Sequence, residues 1–311
     1  MVKIDLITGF LGAGKTTFIK KYVTYLVDKG LNIGILENDY GAVNVDMMLL
    51  SDIMGEHCHG EMVAGGCGAD CHKRRFKTKL IAMGMSGYDR VIVEPSGIFD
   101  VDEFLDVLHE EPLDRWFEIG SIISIVEADI DKNMSKQSRF MLASQIANCG
   151  LLLMSKTQDI LQSDIDSSVK YINDTLAEFQ CSRIIKDEVI TKDWGDFTDD
   201  DYEHFMHAGY KLHDYVKLWF DQGDIFNTVY IMNKAMSADE LCPRVKSVFC
   251  DNNVGDVFRI KGFIKDEHGN WLELNATKSN VSICPIKEGQ EIIIVIGAGL
   301  VEDRIKEYFD S

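Results

Sequence analysis

The spacing of apolar and polar positions predicts that the first 185 residues alternate between buried strands and helices. Continuous apolar runs are typical of strands that are buried on both faces of a parallel sheet. Such runs occur at Val2–Ile7, Ile33–Leu36, Arg90–Val93, Ser121–Val126, Leu151–Met154 and Arg183–Ile185. Helical patterns separate them at Thr16–Asp28, Lys73–Met85, Val101–His109, Lys136–Asn148 and Ile160–Phe179. This alternation predicts a three-layer α/β domain with a mostly parallel sheet and right-handed crossovers.

The pattern changes after residue 190. Asp193–Glu203 is densely acidic, and a helical pattern follows to about Phe220, which predicts an acidic linker with a bridging helix over 191–223. Beyond it, strand patterns occur at Phe226–Met232, Val257–Ile264, Trp271–Ala276 and Glu291–Ile296, and helical patterns at Ala238–Phe249 and Val301–Phe309. We therefore expect a first domain over 1–190 and a smaller α+β domain over 224–311.

The charge balance narrows the classes of partner. Asp and Glu number 51 and Lys and Arg 32, so the net charge at pH 7 is −19. An acidic surface repels phosphate, so we expect no general nucleic-acid binding and no attraction to anionic membranes. No apolar run reaches the roughly 18 residues of a membrane span, and no secretory cleavage site follows the first strand.

The cysteines indicate the redox compartment. There are eight, sparse for 311 residues, and three of them fall between positions 58 and 71. This distribution is more typical of a metal or redox site in a reducing cytosol than of a disulfide framework. We therefore expect a cytoplasmic protein.

The strongest motif is a glycine-rich loop between the first predicted strand and helix. Residues Gly9–Thr17 read GFLGAGKTT, which fits the phosphate-loop pattern G-x-x-x-x-G-K-[ST] in its required context. Backbone N–H groups of such a loop surround the phosphates of a nucleoside triphosphate, and Lys15 should reach the β- and γ-phosphates. The Thr16 hydroxyl should bind Mg²⁺. The expected nucleotide contacts are Gly9, Gly12, Ala13, Gly14, Lys15, Thr16 and Thr17.

Two carboxylates follow neighbouring apolar runs. Glu94 ends the run that begins at Arg90, and it is expected to hold Mg²⁺ or its waters. Gly97 would allow a backbone N–H to approach the γ-phosphate. Asp39 follows the second strand and is a further candidate for Mg²⁺ or for the attacking water, although a plain polar turn is the alternative there.

The base-recognition segment departs from the GTPase signature N-K-x-D. Residues Ser155, Lys156 and Gln158 occupy the places of Asn, Lys and Asp, and Asp159 lies one place late. A glutamine offers one acceptor oxygen, whereas a carboxylate accepts from both guanine N–H donors. We expect GTP as the nucleotide, and ATP remains the alternative.

A Cys/His-rich stretch lies between the two carboxylate segments. Thiolates and imidazoles suit Zn²⁺, Co²⁺ or Ni²⁺, and the density of these side chains favours a metal site over buried cysteines or a redox dithiol. The candidate ligands are Cys67, Cys71, His72, Cys58, His57 and His59.

Taken in order, these motifs resemble the CobW family of metal-centre GTPases, relatives of UreG and HypB. The resemblance covers most of the chain. Asn38–Asp46 is similar to the family's N-E-F-G-E-V-G-I-D, and Glu94–Gly97 to its E-T-S-G. Phe258–Ile264 and Val295–Leu300 resemble its C-terminal domain. Of the family's metal motif G-C-x-C-C this chain keeps Cys67, while Ala69 and Asp70 stand at the other two cysteine positions.

The resemblance implies a P-loop GTPase domain, slow GTP hydrolysis, and metal delivery to a client metalloprotein or cofactor enzyme. It also implies a nucleotide-dependent homodimer. Two alternatives stay open from the sequence. One is a nucleotide-gated activator of a cofactor-bearing enzyme, for example a corrinoid protein, that carries no metal itself. The other is an ATPase on the same scaffold.

Overall fold

Two structural units make up the chain. The computed structural model describes residues 1–39, 45–64, 69–97, 99–218, 226–232, 236–266, 268–278, 280–287 and 289–310. The units are Met1–Leu218 and Trp219–Ser311. The division lies near the predicted end of the linker. Residues 191–218, however, belong to the first unit rather than to a separate linker.

The sheet of the first unit confirms the predicted parallel architecture. Within the described residues it has seven strands in the order β3-β2-β4-β1-β5-β6-β7, and neighbouring strands pair in parallel. The strands are β1 Val2–Gly9, β2 Ile33–Asp39, β3 Cys58–Ala64, β4 Arg90–Pro95, β5 Phe117–Glu127, β6 Leu151–Ser155 and β7 Val189–Ile190. Because β1 is central, the loop that follows it emerges in the middle of the carboxyl edge of the sheet.

Helices cover the sheet, and in the described residues three of them begin at a side chain that caps the first turn. They are α1 Lys15–Asp28, α2 Val45–Leu49, α3 Ala69–Gly84, α4 Val101–Leu108, α5 Leu113–Trp116, α6 Lys136–Ala147, α7 Gln162–Glu178 and α8 Asp199–Met206. Asp100 caps α4 by accepting from the Asp102 N–H, and Ser135 caps α6 through the Ser138 N–H. Thr198 and Asp201 form a capping box at α8. These caps fix where the crossover helices begin.

A buried ionic cluster joins β1, β4 and α1 inside this unit. The fully buried Asp5 carboxylate accepts hydrogen bonds from Arg90 Nη1 at 2.6 Å, Tyr22 OH at 2.8 Å and the Ser121 N–H at 2.9 Å. Burial raises the pKa of Asp5, and the charge and hydrogen bond of Arg90 oppose that rise. Arg90 also donates to the Met206 carbonyl, which ties the end of α8 to the same cluster.

The second unit is an antiparallel sheet with helices, as the α+β prediction requires. Its described strands have the order β11-β10-β9-β12-β8, and neighbours pair antiparallel. The elements are β8 Phe226–Met232, α9 Ala238–Cys250, β9 Asp256–Lys265, β10 Trp271–Thr277, β11 Val281–Pro285, β12 Ile292–Ala298 and α10 Glu302–Glu307. Leu241, Val245 and Val248 of α9 pack with Ile260 and Val295 in its apolar core.

Two predicted elements are wrong, each for a physical reason. No strand forms at Arg183–Ile185, because the buried Arg183 guanidinium donates instead to the Ile146 and Ala147 carbonyls at the end of α6. The helix expected to reach about Phe220 ends at Met206. Three residues later, Gly209 adopts a left-handed conformation (φ +64°). Phe220 itself lies outside the described residues. Among the described helices, none combines the length and the apolar character needed to cross a membrane.

Candidate nucleotide and metal site

The glycine loop between β1 and α1 has a backbone that requires glycine. Gly9, Gly12 and Gly14 have φ of +148°, +85° and +101°. A Cβ added to Gly9 would lie 2.3 Å from the Ile125 carbonyl oxygen of the neighbouring strand. Gly9 ends β1 and is the register partner of Ile125, so a side chain there has no room, and the left-handed φ values at Gly12 and Gly14 favour glycine in the loop itself.

The start of α1 is open to an anion. Its N-cap residue Gly14 makes no side-chain capping bond, and the first turn contains no acidic residue. Lys15 is 6% exposed, and its Nζ donates to the Gly9 carbonyl at 3.0 Å, which folds the ammonium over the loop. The positive end of the helix and the lysine charge therefore favour phosphate at the same place. Ala13 is buried beside them and Thr17 is exposed.

Thr16 and Glu94 lie in contact, as the sequence predicts for a magnesium site. The Thr16 hydroxyl donates to Glu94 Oε1 at 2.8 Å, and both side chains are buried, at 9% and 3% exposure. Glu94 stands near the end of β4, next to the strand that carries the glycine loop. A hydroxyl and a carboxylate oxygen are ligands that Mg²⁺ prefers, so these residues fit the ion.

A second buried carboxylate, Glu37, stands beside Glu94. The two residues are register partners on β2 and β4, and Glu37 is 2% exposed. Paired residues of adjacent strands present their side chains on the same face of the sheet. Glu37 was not among the predicted site residues, although it follows an apolar run just as Glu94 does. Asp39 is the last residue of β2, so it belongs to the same edge of the sheet, and its role stays a prediction.

Gly97 approaches the phosphate loop closely. A Cβ added to Gly97 would lie 2.7 Å from the Leu11 backbone nitrogen. The Gly97 carbonyl accepts a hydrogen bond from Gln145 Nε2 at 2.9 Å, and Gln145 on α6 is fully buried. Sequence reasoning missed Gln145, because nothing in a helical pattern marks which buried amide holds a distant turn.

The base-side turn after β6 lies against the phosphate loop. A Cβ added to Gly14 would lie 3.7 Å from Ser155 Cβ, and the buried Ser155 hydroxyl donates to the Val126 carbonyl at 3.3 Å. Lys156 and Asp159 have left-handed φ of +55° and +62°. Lys156 Nζ lies 2.5 Å from Glu127 Oε1. The turn therefore brings Ser155 to the loop, while Gln158 and Asp159 remain exposed.

The segment after β7 completes the base side of the site. Trp194 donates through Nε1 to the Met154 carbonyl at 2.9 Å, and its ring would lie 3.2 Å from a Cβ added to Gly14. The same ring meets Phe18 of α1 edge to face, with centroids 5.8 Å apart. Gln158 Nε2 donates to Asp193 Oδ2. The acidic segment expected to be a linker therefore forms one wall of the predicted nucleotide site.

The predicted Cys/His cluster does not assemble around Cys58. This cysteine begins β3, is 2% exposed and packs in the apolar core, where burial raises the pKa of its thiol to about 11. Its Sγ lies 4.0 Å from Met54 Sδ. His57 and His59 are exposed, and the His59 ring faces Tyr88 at 6.1 Å. Because strand neighbours point to opposite faces, Cys58 is a core residue, and its prediction as a ligand with His59 is wrong.

The remaining predicted ligands lie at the start of α3. Cys71 is partly exposed and His72 is buried at 1% exposure. Within the part of the chain that the structure describes, no three His, Cys, Asp or Glu side chains converge as a metal site would require. Cys67, the residue on which the prediction centres, lies outside the described residues. The assignment of Cys67, Cys71 and His72 as ligands stays a prediction.

Two curated bacterial proteins are similar in sequence to part of this chain. Zinc chaperone YeiR of Escherichia coli (strain K12) is 26% identical over 161 residues, which cover 50% of this chain and 47% of YeiR. Zinc chaperone YjiA of the same organism is 27% identical over 165 residues, which cover 50% of this chain and 49% of YjiA. The chain thus spans about half the length of the curated relatives it matches.

This chain also matches a solved structure and a protein-family model. The crystal structure of Zn(II)-bound YjiA GTPase from E. coli aligns over 99% of this chain and 98% of that chain, with 18% identity and a TM-score of 0.40. The model of the CobW/HypB/UreG nucleotide-binding domain matches residues 3–183, more than half of the chain. The chain therefore belongs to the CobW/HypB/UreG family.

Proposed function

We propose that this protein is a Mg²⁺-dependent GTPase switch that delivers zinc to a client metalloprotein. The observation that carries the proposal is the buried contact between the Thr16 hydroxyl and Glu94 Oε1 at 2.8 Å, beside Lys15 and the glycine loop. The names of the relatives YeiR and YjiA, both zinc chaperones, support zinc as the cargo.

The residues divide the work of nucleotide binding. The glycine loop and the start of α1 hold the phosphates, and Lys15 offers its charge to the β- and γ-phosphates. Thr16 and Glu94 hold Mg²⁺, which supplies neutralising charge to the phosphate oxygens when bound. Asp39 ends β2, and Gly97 follows the neighbouring strand β4. Both therefore lie at the edge of the sheet where a triphosphate would bind.

Strand pairing supports a coupling between nucleotide and cargo. Asp39 at the end of β2 is the register partner of Ala64 at the end of β3. The backbones of Asp39 and Ala64, the last residues of the two paired strands, therefore lie about 5 Å apart. Ordering by GTP of the segment that follows Asp39 changes the segment that follows Ala64, and with it the thiolate site formed by Cys67 with Cys71 and His72. Hydrolysis then releases zinc to the client.

The proposal is tested by the zinc affinity of the purified apoprotein, measured against a competing chelator with and without a non-hydrolysable GTP analogue. We expect one tight site that shifts with nucleotide, is lost in Cys67→Ser, and persists in the matched variant Cys58→Ser. Lys15→Ala should keep zinc but lose the shift. A zinc affinity that changes neither in Cys67→Ser nor on addition of the GTP analogue contradicts the proposal. That result favours the alternative, an activator of a cofactor-bearing enzyme.

Two further parts of the proposal have direct measurements. Hydrolysis of ATP as fast as GTP, at equal concentration, contradicts the guanine assignment and favours the ATPase alternative. The family resemblance also leads us to propose a homodimer that forms on binding the GTP analogue. Light scattering after size exclusion, with analogue and with GDP, measures that mass directly.

A further inference from the structure

Gln158 stands where the GTPase signature N-K-x-D has the aspartate that binds guanine. Guanine presents two neighbouring donors, N1–H and the N2 amine, and a carboxylate accepts from both. Gln158 stands at the position of the signature's aspartate, but its amide combines one acceptor oxygen with a donor NH₂ group. A glutamine alone therefore opposes one of guanine's two donors with a donor of its own.

A carboxylate from another loop lies against Gln158. Asp193 follows β7, is 35 residues away in sequence, and accepts from Gln158 Nε2 through Oδ2. Its Oδ1 accepts from the Gly195 N–H at 2.6 Å, which caps the 3₁₀ turn Trp194–Asp196. The amide that replaces the signature carboxylate therefore points its donor at a carboxylate.

The neighbouring residue fixes this carboxylate beside the nucleotide loop. Trp194 is anchored by its hydrogen bond to the Met154 carbonyl and packs against Gly14, the residue that precedes Lys15. Asp193 is thus held on the side of the site where Ser155 also meets the loop. Its side chain is only half-buried, so a ligand can reach it.

The acceptor capacity of Asp193 matches what guanine needs. An ionised carboxylate has about four acceptor sites on its two oxygens. The two hydrogen bonds described above, from Gln158 and from Gly195, leave two sites for a ligand among the described contacts. Guanine brings two donors, whereas adenine brings one donor and one acceptor on the corresponding edge.

We infer that Asp193 is the residue that specifies guanine, with Gln158 as its positioning residue. This inference rests on the proposed GTP-binding function and adds to it the source of the base preference. The aspartate of the N-K-x-D signature has been replaced by a carboxylate from the loop after β7. Asp159, one place late in the turn, is the competing candidate.

The test is the base preference of the full chain, measured by calorimetry with GDP, XDP, IDP and ADP. Wild type should prefer GDP over IDP, which lacks the N2 amine, by about tenfold or more. Asp193→Asn should lose GDP affinity by about tenfold or more and gain XDP affinity. The asparagine NH₂ can donate to the xanthine 2-carbonyl while its oxygen still accepts from N1–H and still caps the turn.

The controls separate the competing readings. Asp196→Asn, an exposed residue of the same turn, should keep the wild-type preference. Gln158→Ala should weaken GDP several-fold without creating an XDP preference. An XDP preference created by Asp159→Asn, an unchanged preference in Asp193→Asn, or equal GDP and IDP affinity in wild type each overturns the inference. Failure of wild type to bind any of the four nucleotides contradicts the proposed function itself.

Discussion

The Thr16 hydroxyl and the Glu94 carboxylate are 78 positions apart in sequence and 2.8 Å apart in the folded chain. The contact joins the first turn of α1 to the end of β4. A hydroxyl that donates its proton to a carboxylate keeps two lone pairs on its oxygen, and these can still bind a metal. The pair is therefore suited to the ion: Thr16 would offer a hydroxyl oxygen and Glu94 a carboxylate oxygen to Mg²⁺, which would supply neutralising charge beside the phosphates.

Removal of the hydroxyl should abolish productive magnesium binding. We expect Thr16→Ala to lower GTP hydrolysis at saturating Mg²⁺ by about 10²-fold, because the ion then loses its protein ligand next to the phosphates. Thr16→Ser keeps the hydroxyl and should retain most activity. Steady-state hydrolysis over a range of Mg²⁺ concentrations measures both. Equal magnesium dependence in wild type and Thr16→Ala contradicts the assignment.

A methyl group at Gly97 should push against the phosphate loop. The added Cβ would lie 2.7 Å from the Leu11 nitrogen, so one of the two backbones must move. We expect Gly97→Ala to slow hydrolysis by about tenfold or more, because displacement of loop atoms misplaces the reacting phosphate. Gly55→Ala has no atom within 4 Å of its new methyl group and should hydrolyse GTP at the wild-type rate. Single-turnover hydrolysis compares the two, and an equal rate in both would refute the contact.

Loss of Arg90 should strongly destabilise the first unit. In Arg90→Met the Asp5 carboxylate stays buried without its cation, which costs about 3–5 kcal/mol in the free energy of unfolding. The double variant Asp5→Asn with Arg90→Met should recover part of that loss, because the asparagine oxygen can still accept from the Ser121 N–H while its NH₂ group donates to the Tyr22 hydroxyl. Lys3→Met, which breaks the exposed pair with Glu118, should cost less than about 1 kcal/mol. Urea denaturation followed by far-UV circular dichroism ranks the variants, and equal losses for Arg90 and Lys3 would be inconsistent with this account.

Acid should weaken the first unit through Glu188. Burial opposes ionisation of this carboxylate, but the hydrogen bond from Lys211 and the charge of Arg183 outweigh it and lower its pKa from 4.5 to about 2. A lowered pKa stabilises the fold at every pH above 4.5, and this stabilisation disappears as the pH falls toward 2. Glu188→Gln should therefore be less stable than wild type by roughly 1–3 kcal/mol at pH 7. Unfolding curves from pH 7 to pH 2.5 should converge, and a constant difference across that range argues against the ion pair.

Cys58 should resist alkylation in the folded protein. A thiol with a pKa of about 11 has a thiolate fraction of only about 10⁻³ at pH 8, and the side chain is also buried. Cys250 and Cys284 are exposed and should react first with iodoacetamide. Mass spectrometry of peptides over a time course gives the order. Labelling of Cys58 as fast as Cys250 would place its thiol at the surface.

The sequence predicts the parallel sheet and the phosphate loop well because both depend on local patterns. Five of the six apolar runs are strands of the sheet, and the glycine positions of Gly9–Gly14 encode the loop conformation directly. In the second unit the alternating patterns predict four of the five described strands, and β11 Val281–Pro285 was not predicted. The structure confirms the sheet and the loop, and the family model matches residues 3–183, which contain both.

The remaining features depend on contacts that no local pattern contains. Charge density made Asp193–Glu203 look like a linker, yet Trp194, Phe197, Tyr202 and Phe205 form an aromatic cluster that packs on α1. Three of those aromatic residues within the acidic stretch, and Phe205 just after it, were the available signal. Conversely, the density of Cys and His suggested one cluster, but strand alternation sends Cys58 and His59 to opposite faces.

The strand order separates two kinds of change on the two flanks of β1. On one flank, β4 and β2 end in the carboxylates Glu94 and Asp39. On the other, β5, β6 and β7 lead to the turn of Gln158 and the loop of Asp193. Under the proposed roles, substitutions that alter the preference for guanine over adenine therefore lie on the opposite flank from substitutions that alter the metal ligands. Residues on either flank can be substituted while the phosphate loop that follows β1 is unchanged. Under the proposed roles, the side chain that reads guanine and the cysteine pattern that binds metal can therefore be exchanged in separate steps.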